Sequence, residues 1–146
     1  MSALARLAEL GIELPEVPAP AGAYVPAVRT GNLVYTSGQV DLNSSGKVGA
    51  EVSEADAKAA ARTCALNALA AVDALVGLDS VVRVVKVVGF VASAPGFTGQ
   101  PGVVNGASEL LGDVFGAAGA HARSAVGVAE LPLGVPVEVE LIVEVR

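Results

Sequence analysis

Aromatic residues are scarce in this chain: they make up 3% of its 146 residues, and tryptophan does not occur. Aromatic side chains therefore cannot build the interior, although 53% of the residues are hydrophobic. A chain of this length is most simply one domain with a sizeable core. We predict a core of valine, leucine and alanine, in which glycine allows backbones to approach closely.

Cysteine and histidine each occur once, as Cys64 and His121. A single cysteine excludes an internal disulfide and is compatible with a reducing compartment, so we expect a cytoplasmic protein. No pair of possible ligands has the spacing of a metal site, and the glycines form no phosphate-binding motif. We therefore expect neither a metal nor another cofactor. Cys64 should be buried and inert on a helical stripe of alanines, and His121 should be a surface residue rather than a base.

Positive charge is also scarce, with nine Lys and Arg against fifteen Asp and Glu and a formal net charge of −6. Binding to nucleic acid requires a basic face, so we do not expect nucleic acid as a partner. Arg6 and Glu9 interrupt the only apolar run near the N-terminus, which argues against a signal peptide. No run approaches the roughly 20 apolar residues of a transmembrane helix, so we expect no contact with a membrane.

The C-terminal end of the chain has a clear strand pattern. From about Val135 onward apolar and polar residues alternate, which predicts a strand with valines on one face and glutamates on the other. A preceding strand is predicted from about Ser124 to Leu131, and L-P-L-G-V-P forms the turn between them. Arg123 thus lies at the entrance of one strand, close to a strand that carries a row of glutamates. An arginine in this setting suits a small anionic ligand.

The rest of the chain is predicted to supply the order β-β-α-β-α before these two strands. A short helix and a proline-rich arm occupy residues 1–22, and a hairpin follows with strands at about 24–29 and 33–40. The main helix begins after Ser53, ends at Gly77, and carries a stripe of small residues. The predicted stripe comprises Ala57, Ala61, Cys64, Ala68, Val72 and Leu75. A second helix spans about 101–115.

A valine-rich strand is predicted between the two helices, from about Ser80 to Ala92, and it carries apolar side chains on both faces. We assign one face to Val82, Val84, Val88 and Phe90, and the other to Val81, Val85, Val87 and Val91. A strand that is buried on both faces needs cover on both sides. The helices provide one cover, and another subunit would provide the second most simply. The alternative is a monomer with helices on both sides of its sheet.

Four sequence blocks together resemble the RidA or YjgF-like family of imine/enamine deaminases, historically described as endoribonuclease L-PSP-like. The blocks are A-G-A-Y-V-P-A-V, G-N-L-V-Y-T-S-G-Q-V, Asn105 in the second helix, and A-R-S-A-V-G-V-A-E-L-P-L-G-V-P-V-E-V-E. Each block is short, but the four occur in the family's order and extend over nearly all of Tyr24 to Arg146. We therefore take residues 23–146 as a RidA-like domain.

The resemblance implies a single α+β domain with a chorismate-mutase-like fold: a mixed sheet with two helices packed on one face. It also implies a homotrimer whose sheets surround a central axis, with ligand sites in the clefts between subunits. The implied activity is hydrolysis of 2-imino acids to 2-keto acids and ammonia. A non-catalytic binder or regulator that recognises a small carboxylate is the alternative. A ribonuclease or translation inhibitor is less favoured, because the chain is acidic.

The resemblance also implies roles for individual residues. Arg123 would bind the substrate carboxylate, and Glu138 would position the hydrolytic water. The other implied pocket residues are Tyr24 from the neighbouring subunit, Ser37, Gly38 and Gln39 as backbone lining, Asn105, and Ala125 through its N–H. Two departures from the family pattern stand out, because Ala125 replaces a cysteine and Asp41 replaces a proline. They leave the substrate and the turnover open.

Overall fold

The computed structural model describes residues 1–146, which form one mixed sheet and three α-helices. The strands are β1 (Ala27–Thr30), β2 (Leu33–Thr36), β3 (Gln39–Val40), β4 (Val81–Ala92), β5 (Ala122–Val128) and β6 (Val137–Val145). The helices are α1 (Ala3–Glu9), α2 (Glu54–Val76) and α3 (Gln100–Phe115). The predicted α+β class and the order of the elements are confirmed, except that the second predicted strand is divided into β2 and β3.

The C-terminal strand β6 lies in the middle of the sheet, which has the order β1-β2-β6-β4-β5, with β3 also paired to β6. Only β4 and β5 run parallel, and the other pairs are antiparallel. The alternation predicted for β6 is confirmed, because its valines and leucine are buried while its glutamates are half-buried. The face of the valines packs against α2 and α3, and we call the opposite face the outer face.

The hairpin strands are shorter than the sequence predicted. β1 begins at Ala27 rather than Tyr24, because Pro26 has no N–H to donate to a ladder. Ser37 separates β2 from β3: its N–H donates to Pro26 O (2.8 Å) and its Oγ donates to Val25 O (2.6 Å). The hydroxyl of Thr36 accepts from the Leu141 N–H (2.9 Å), which holds β6 beside the interruption. The sheet therefore bends at the T-S-G-Q block.

Strand β5 also differs from its predicted bounds, since it spans Ala122–Val128 instead of about 124–131. It pairs only with β4, and β4 ends at Ala92, opposite Val128. Residues after Val128 have no strand to pair with, so they turn toward Pro132. Arg123 is consequently the second residue of β5 rather than a residue before the strand.

The valine-rich strand β4 contains two register shifts, between Val81 and Arg83 and between Val84 and Lys86. A bulge places two successive residues on the same side of a strand, so it breaks simple alternation. Val84 and Val87 are consequently both buried under the helices, whereas Val82 and Val85 are 44% and 36% exposed on the outer face. The face assignment made from strict alternation is therefore wrong for Val84 and Val85.

Helix α2 begins and ends where the sequence predicts. The Ser53 hydroxyl accepts from the Asp56 N–H (3.0 Å), and Gly77 ends the helix with φ 81°. The predicted small-residue stripe is buried except for Leu75, which is 46% exposed and was assigned wrongly. By length and composition α2 could span a membrane, contrary to our expectation, but half of its apolar window (50%) is buried in the protein, as in a core helix.

The N-terminal helix α1 packs into the same core as the rest of the chain. Ala3 and Leu7 belong to the main hydrophobic cluster, and Leu7 is 3% exposed. Arg6 Nε donates to the Asp113 carbonyl at the end of α3 (2.8 Å). The proline-rich arm then runs beside α2, since Val17 borders the same cavity as Ala71 and Ala74 of that helix and as Ala27 of β1. This segment therefore adds a third helix to the helical side of the sheet.

Candidate functional site

Arg123 is held by two side chains and one backbone carbonyl of α3. It pairs in register with Val87, whose side chain is buried under the helices, so the arginine also points to the helical side of the sheet. Its Nη1 donates to Asn105 Oδ1 (2.7 Å) and to Ser108 Oγ (3.2 Å), and its Nη2 donates to the Pro101 carbonyl (3.4 Å). The predicted proximity of Arg123 and Asn105 is thus present within one chain.

The guanidinium of Arg123 keeps two donors free. Of its five N–H groups, both on Nη1 and one on Nη2 are used, whereas the Nε–H and the second Nη2–H make no hydrogen bond. None of the three ion pairs in the protein includes Arg123. A half-buried arginine without a carboxylate partner, oriented by neutral acceptors, is suited to bind an external carboxylate or a similar anion.

Ser108 was missed by sequence reasoning, and His121 is less exposed than predicted. Ser108 lies three residues after Asn105 on α3, so both side chains face the same strand, a spacing that the sequence could have revealed. His121 is half-buried, and both of its ring nitrogens are engaged: Nε2 lies 2.8 Å from Ser108 Oγ, and Nδ1 lies 2.6 Å from the Gly119 carbonyl. These residues connect Arg123 to the turn that precedes β5.

Glu138 lies on the outer face of β6, directly against Gly38. A Cβ atom added at Gly38 would lie 2.7 Å from Glu138 Cδ and closer still to Oε2. A side chain at position 38 would therefore displace this carboxylate from its present position. Partial burial raises the pKa of Glu138 above its ordinary value of 4.5, and the nearby charge of Glu140 adds to the rise. A carboxyl group with a raised pKa is a candidate general base.

Three of the other predicted pocket residues border a separate cavity of about 360 Å³ beneath the N-terminal arm, and Ser37 does not line it. Tyr24, Gly38 and Gln39 line it, and so does Asp41. Tyr24 is 49% exposed and its hydroxyl accepts from the Ala21 N–H (3.1 Å). Asp41 accepts from the Asn43 N–H (3.0 Å), so its carboxylate closes a local turn.

The two predicted catalytic residues do not meet within one chain. Arg123 aligns with Val87 and Leu141 across β5, β4 and β6, and Glu138 lies three residues from Leu141 along β6. Two strand spacings and three residue rises correspond to about 14 Å between their Cα atoms. Their side chains also project to opposite faces of the sheet. One small ligand can touch both residues only if they come from different copies of the chain.

Ala125 lies on the same face of the sheet as Arg123. It pairs with Gly89, and its methyl group packs against the core. Ser93 N donates to Val128 O, so the backbone groups of Val128 face β4. Successive residues in a strand direct these groups to opposite sides, which turns the N–H of Ala125 to the open edge of β5. The predicted donor is thus exposed at the sheet edge near Arg123.

Cys64 is not part of a site. It is fully buried on the small-residue stripe of α2, and burial raises the pKa of its thiol, with a smaller contribution from the Asp41 and Glu138 charges. A thiol that resists ionisation is a poor nucleophile. The prediction of an inert cysteine is consistent with this environment.

Comparison with known proteins identifies relatives over nearly the whole chain. The family model described as "Endoribonuclease L-PSP" matches residues 15–145. "Protein TCP17" of Trypanosoma cruzi is 47% identical and aligns over 97% of this chain and 93% of its own. A "2-iminobutanoate/2-iminopropanoate deaminase" of Dermatophagoides farinae is 35% identical, over 92% of this chain and 95% of its own.

The fold is similar to that of a solved structure as well. The crystal structure of the protein Atu1372 from Agrobacterium tumefaciens superimposes with a TM-score of 0.89 at 44% identity. The superposition covers 99% of this chain and 92% of that one. Since residues 1–22 make up more than a tenth of this chain, most of the N-terminal helix and arm must lie within the shared structure.

Proposed function

The chain belongs to the endoribonuclease L-PSP family, also described as RidA or YjgF-like, and we propose that it hydrolyses 2-imino acids to 2-keto acids and ammonia. The observation that carries this proposal is Arg123, a half-buried cation with two free N–H donors and no carboxylate partner. The similarity to a 2-iminobutanoate/2-iminopropanoate deaminase supports the choice of substrate class.

The proposed reaction needs little beyond positioning. Arg123 holds the substrate carboxylate with two parallel hydrogen bonds, which places the imine carbon. The substrate reacts as its iminium ion: Glu138 takes a proton from water as the water oxygen adds to the C=N carbon, and the π electrons move to nitrogen, which gives a neutral carbinolamine. The Glu138 carboxyl then returns its proton to the amine nitrogen. As the C–N bond breaks and ammonia leaves, the hydroxyl oxygen forms the C=O bond of the 2-keto acid and its proton passes to solvent. The raised pKa of Glu138 brings its basicity nearer to neutral pH, as a general base requires.

A complete site would need two copies of the chain, because Arg123 and Glu138 lie on opposite faces of one sheet. We therefore include a homotrimer in the proposal. The outer face of the sheet supports it, since Val82, Val85 and Val126 are exposed there by 44%, 36% and 44%. Exposed valines on a sheet face that no helix of this chain covers are suited to pack against another subunit. The N–H of Ala125 at the open edge of β5 would complete the pocket.

A carboxylate-binding protein without turnover is the second candidate. The binding half of the site, Arg123 with Asn105 and Ser108, is complete within one chain, whereas the proposed base is not beside it. Ribonuclease activity, which the family's description names, is not proposed here. Both ring nitrogens of His121 are already hydrogen-bonded, so the single histidine is not free for acid/base chemistry on RNA.

Two measurements test the proposal: calorimetric titration with 2-ketobutyrate, and ammonia release from enzymatically generated 2-iminobutyrate. Losing a charge-assisted bidentate contact costs about 1.5–3 kcal/mol, so Arg123→Ala should weaken binding by roughly 10- to 150-fold. Arg123→Lys should also be impaired, because an ammonium lacks the planar fork. Arg62→Ala is the matched control, since Arg62 is exposed on α2 and makes no hydrogen bond.

Glu138→Gln separates the two candidate functions. It should lower ammonia release while leaving 2-ketobutyrate binding nearly unchanged, because Glu138 contacts the water rather than the carboxylate. If Arg123→Ala binds as tightly as the wild type, the assignment of the pocket is wrong. If the wild type binds 2-ketobutyrate but releases ammonia no faster than buffer, the protein is a binder and the enzymatic proposal fails.

A further inference from the structure

A chain of hydrogen bonds runs from the arginine of the proposed site to the turn before β5. Arg123 Nη1 is 3.2 Å from Ser108 Oγ, Ser108 Oγ is 2.8 Å from His121 Nε2, and His121 Nδ1 is 2.6 Å from the Gly119 carbonyl. The four groups come from β5, α3 and the segment between them. None of these contacts is needed to connect the elements, which are already joined by packing and by the β4–β5 ladder.

The Gly119 carbonyl determines which group donates in each hydrogen bond of this series. A carbonyl oxygen can only accept, so Nδ1 of His121 must carry a proton to bond Gly119. In a neutral ring Nε2 is then an acceptor, and the Ser108 hydroxyl must donate to it. The hydroxyl proton is therefore directed away from Arg123, and a lone pair of Ser108 Oγ faces the Nη1–H.

The turn that supplies the carbonyl lies close against the backbone of α3. A Cβ atom added at Gly119 would lie 2.8 Å from the carbonyl carbon of Leu111 and closer still to its oxygen. Gly119 is buried against α3 for this reason. Its carbonyl is thereby held in place, two residues before His121, and the imidazole is anchored on one side before it meets Ser108.

We propose that Ser108 and His121 are positioning residues that set the orientation of the Arg123 guanidinium for its carboxylate ligand. This inference rests on the proposed carboxylate site, and it gives Ser108 a defined role there and adds His121. Without Ser108, the guanidinium would be held by Asn105 at Nη1 and by a longer contact from Nη2 to the Pro101 carbonyl (3.4 Å). Ser108 is a second acceptor on Nη1, so it restricts rotation of the guanidinium plane further, and the free Nε–H and Nη2–H then point outward in a fixed direction. A neutral histidine can fix the hydroxyl in this way without adding charge to the pocket.

Because His121 is the only histidine, its imidazole resonances can be assigned directly and the hydrogen bonds can be tested by NMR spectroscopy. We would label the tag-free protein with ¹⁵N and record two-bond ¹H–¹⁵N correlations of His121 at about pH 8, above the ordinary titration range of histidine. The expected spectrum is that of the Nδ1–H tautomer, with Nε2 shifted as a hydrogen-bonded acceptor. Ser108→Ala and Arg123→Ala should each move the Nε2 resonance, because each removes a member of the chain. Ser124→Ala is the control, since Ser124 adjoins Arg123 but faces the other side of the sheet.

Binding measurements complete the test. Ser108→Ala should weaken 2-ketobutyrate binding by about threefold to tenfold, the usual effect of one hydrogen bond, and leave the binding of its neutral amide unchanged. His121→Phe should weaken it equally, and the double variant should show no additional loss. Ser108→Thr, which keeps a hydroxyl, should restore affinity.

The proposed positioning role of Ser108 and His121 is overturned if His121 is the Nε2–H tautomer, or if its Nε2 resonance does not respond to Arg123→Ala. Both readouts are independent of any ligand, so they stand even if the wild type binds no 2-ketobutyrate and the proposed function fails. Additive losses in the double variant would also overturn it. If either single variant unfolds, Ser108→Thr and the wild-type spectrum still decide the question.

Discussion

The close contact between α2 and α3 makes a sharp prediction at Gly106. A Cβ atom added there would lie 2.9 Å from the carbonyl carbon of Lys58 and closer still to its oxygen. Because carbon atoms normally pack at about 3.5–4.0 Å, Gly106→Ala must push the two helices apart by about 1 Å. The obstacle is the backbone of α2, which cannot rotate away as a side chain could. Gly112, on the same helix, has no atom within 4 Å of the equivalent position.

The two substitutions are expected to change the free energy of unfolding in opposite directions. Replacing a glycine inside a helix by alanine stabilises it by about 0.5–1 kcal/mol, which is the whole effect expected for Gly112→Ala. Gly106→Ala gains the same amount but also suffers overpacking of about 1–3 kcal/mol, and the rigid obstacle places it near the upper end. The two variants should therefore differ by about 2–3 kcal/mol. For a domain of this size the difference corresponds to a gap in Tm of roughly 5–12 °C.

Thermal unfolding followed by circular dichroism measures both variants under the same conditions. The Gly106 variant should also bind 2-ketobutyrate more weakly, because Asn105 and Ser108 flank Gly106 and hold Arg123. Gly112→Ala should bind as the wild type does. If Gly106→Ala is as stable as Gly112→Ala, the helices have room to spare, and the reasoning about close backbone approach is refuted.

Two further predictions concern Glu138 and the outer face of the sheet. Because burial raises the pKa of Glu138 above 4.5 in the folded state, the ionised carboxylate opposes folding; stability is highest below that value and falls as pH rises through the folded pKa. Glu138→Gln should therefore raise the free energy of unfolding at neutral pH, and this gain over the wild type should disappear near about pH 4. Urea denaturation at both pH values measures it, and a difference between variant and wild type that does not depend on pH would contradict the argument. Sedimentation equilibrium at micromolar concentration should give the mass of a trimer for the wild type and smaller species for Val85→Glu, which puts a charge on the outer face; a wild-type monomer would contradict the proposed assembly.

Local patterns in the sequence predicted most of the elements, because these patterns report interactions between near neighbours. The strict alternation of β6 and the Ser53 cap of α2 both depend on residues within a few positions of each other. The predictions failed where pairing between segments far apart in the sequence sets the strand ends and faces. β5 ends at Val128 because its partner ends opposite it, and Val84 and Val85 were misassigned because bulges in β4 depend on pairing with β6.

The same distinction between local patterns and long-range contacts applies to the candidate site. The residue types that suit a carboxylate, above all Arg123 with Asn105, follow from sequence blocks and their spacing, and so does membership of the family. The sequence by itself thus determined the class of the fold and the chemistry on offer. Only the tertiary structure decided how that chemistry is arranged: α3 lies over β5, which connects Arg123 to Ser108 and His121, and the pleat of the sheet turns Glu138 to the opposite face. These relations depend on contacts between residues far apart in the chain, and no local periodicity encodes them.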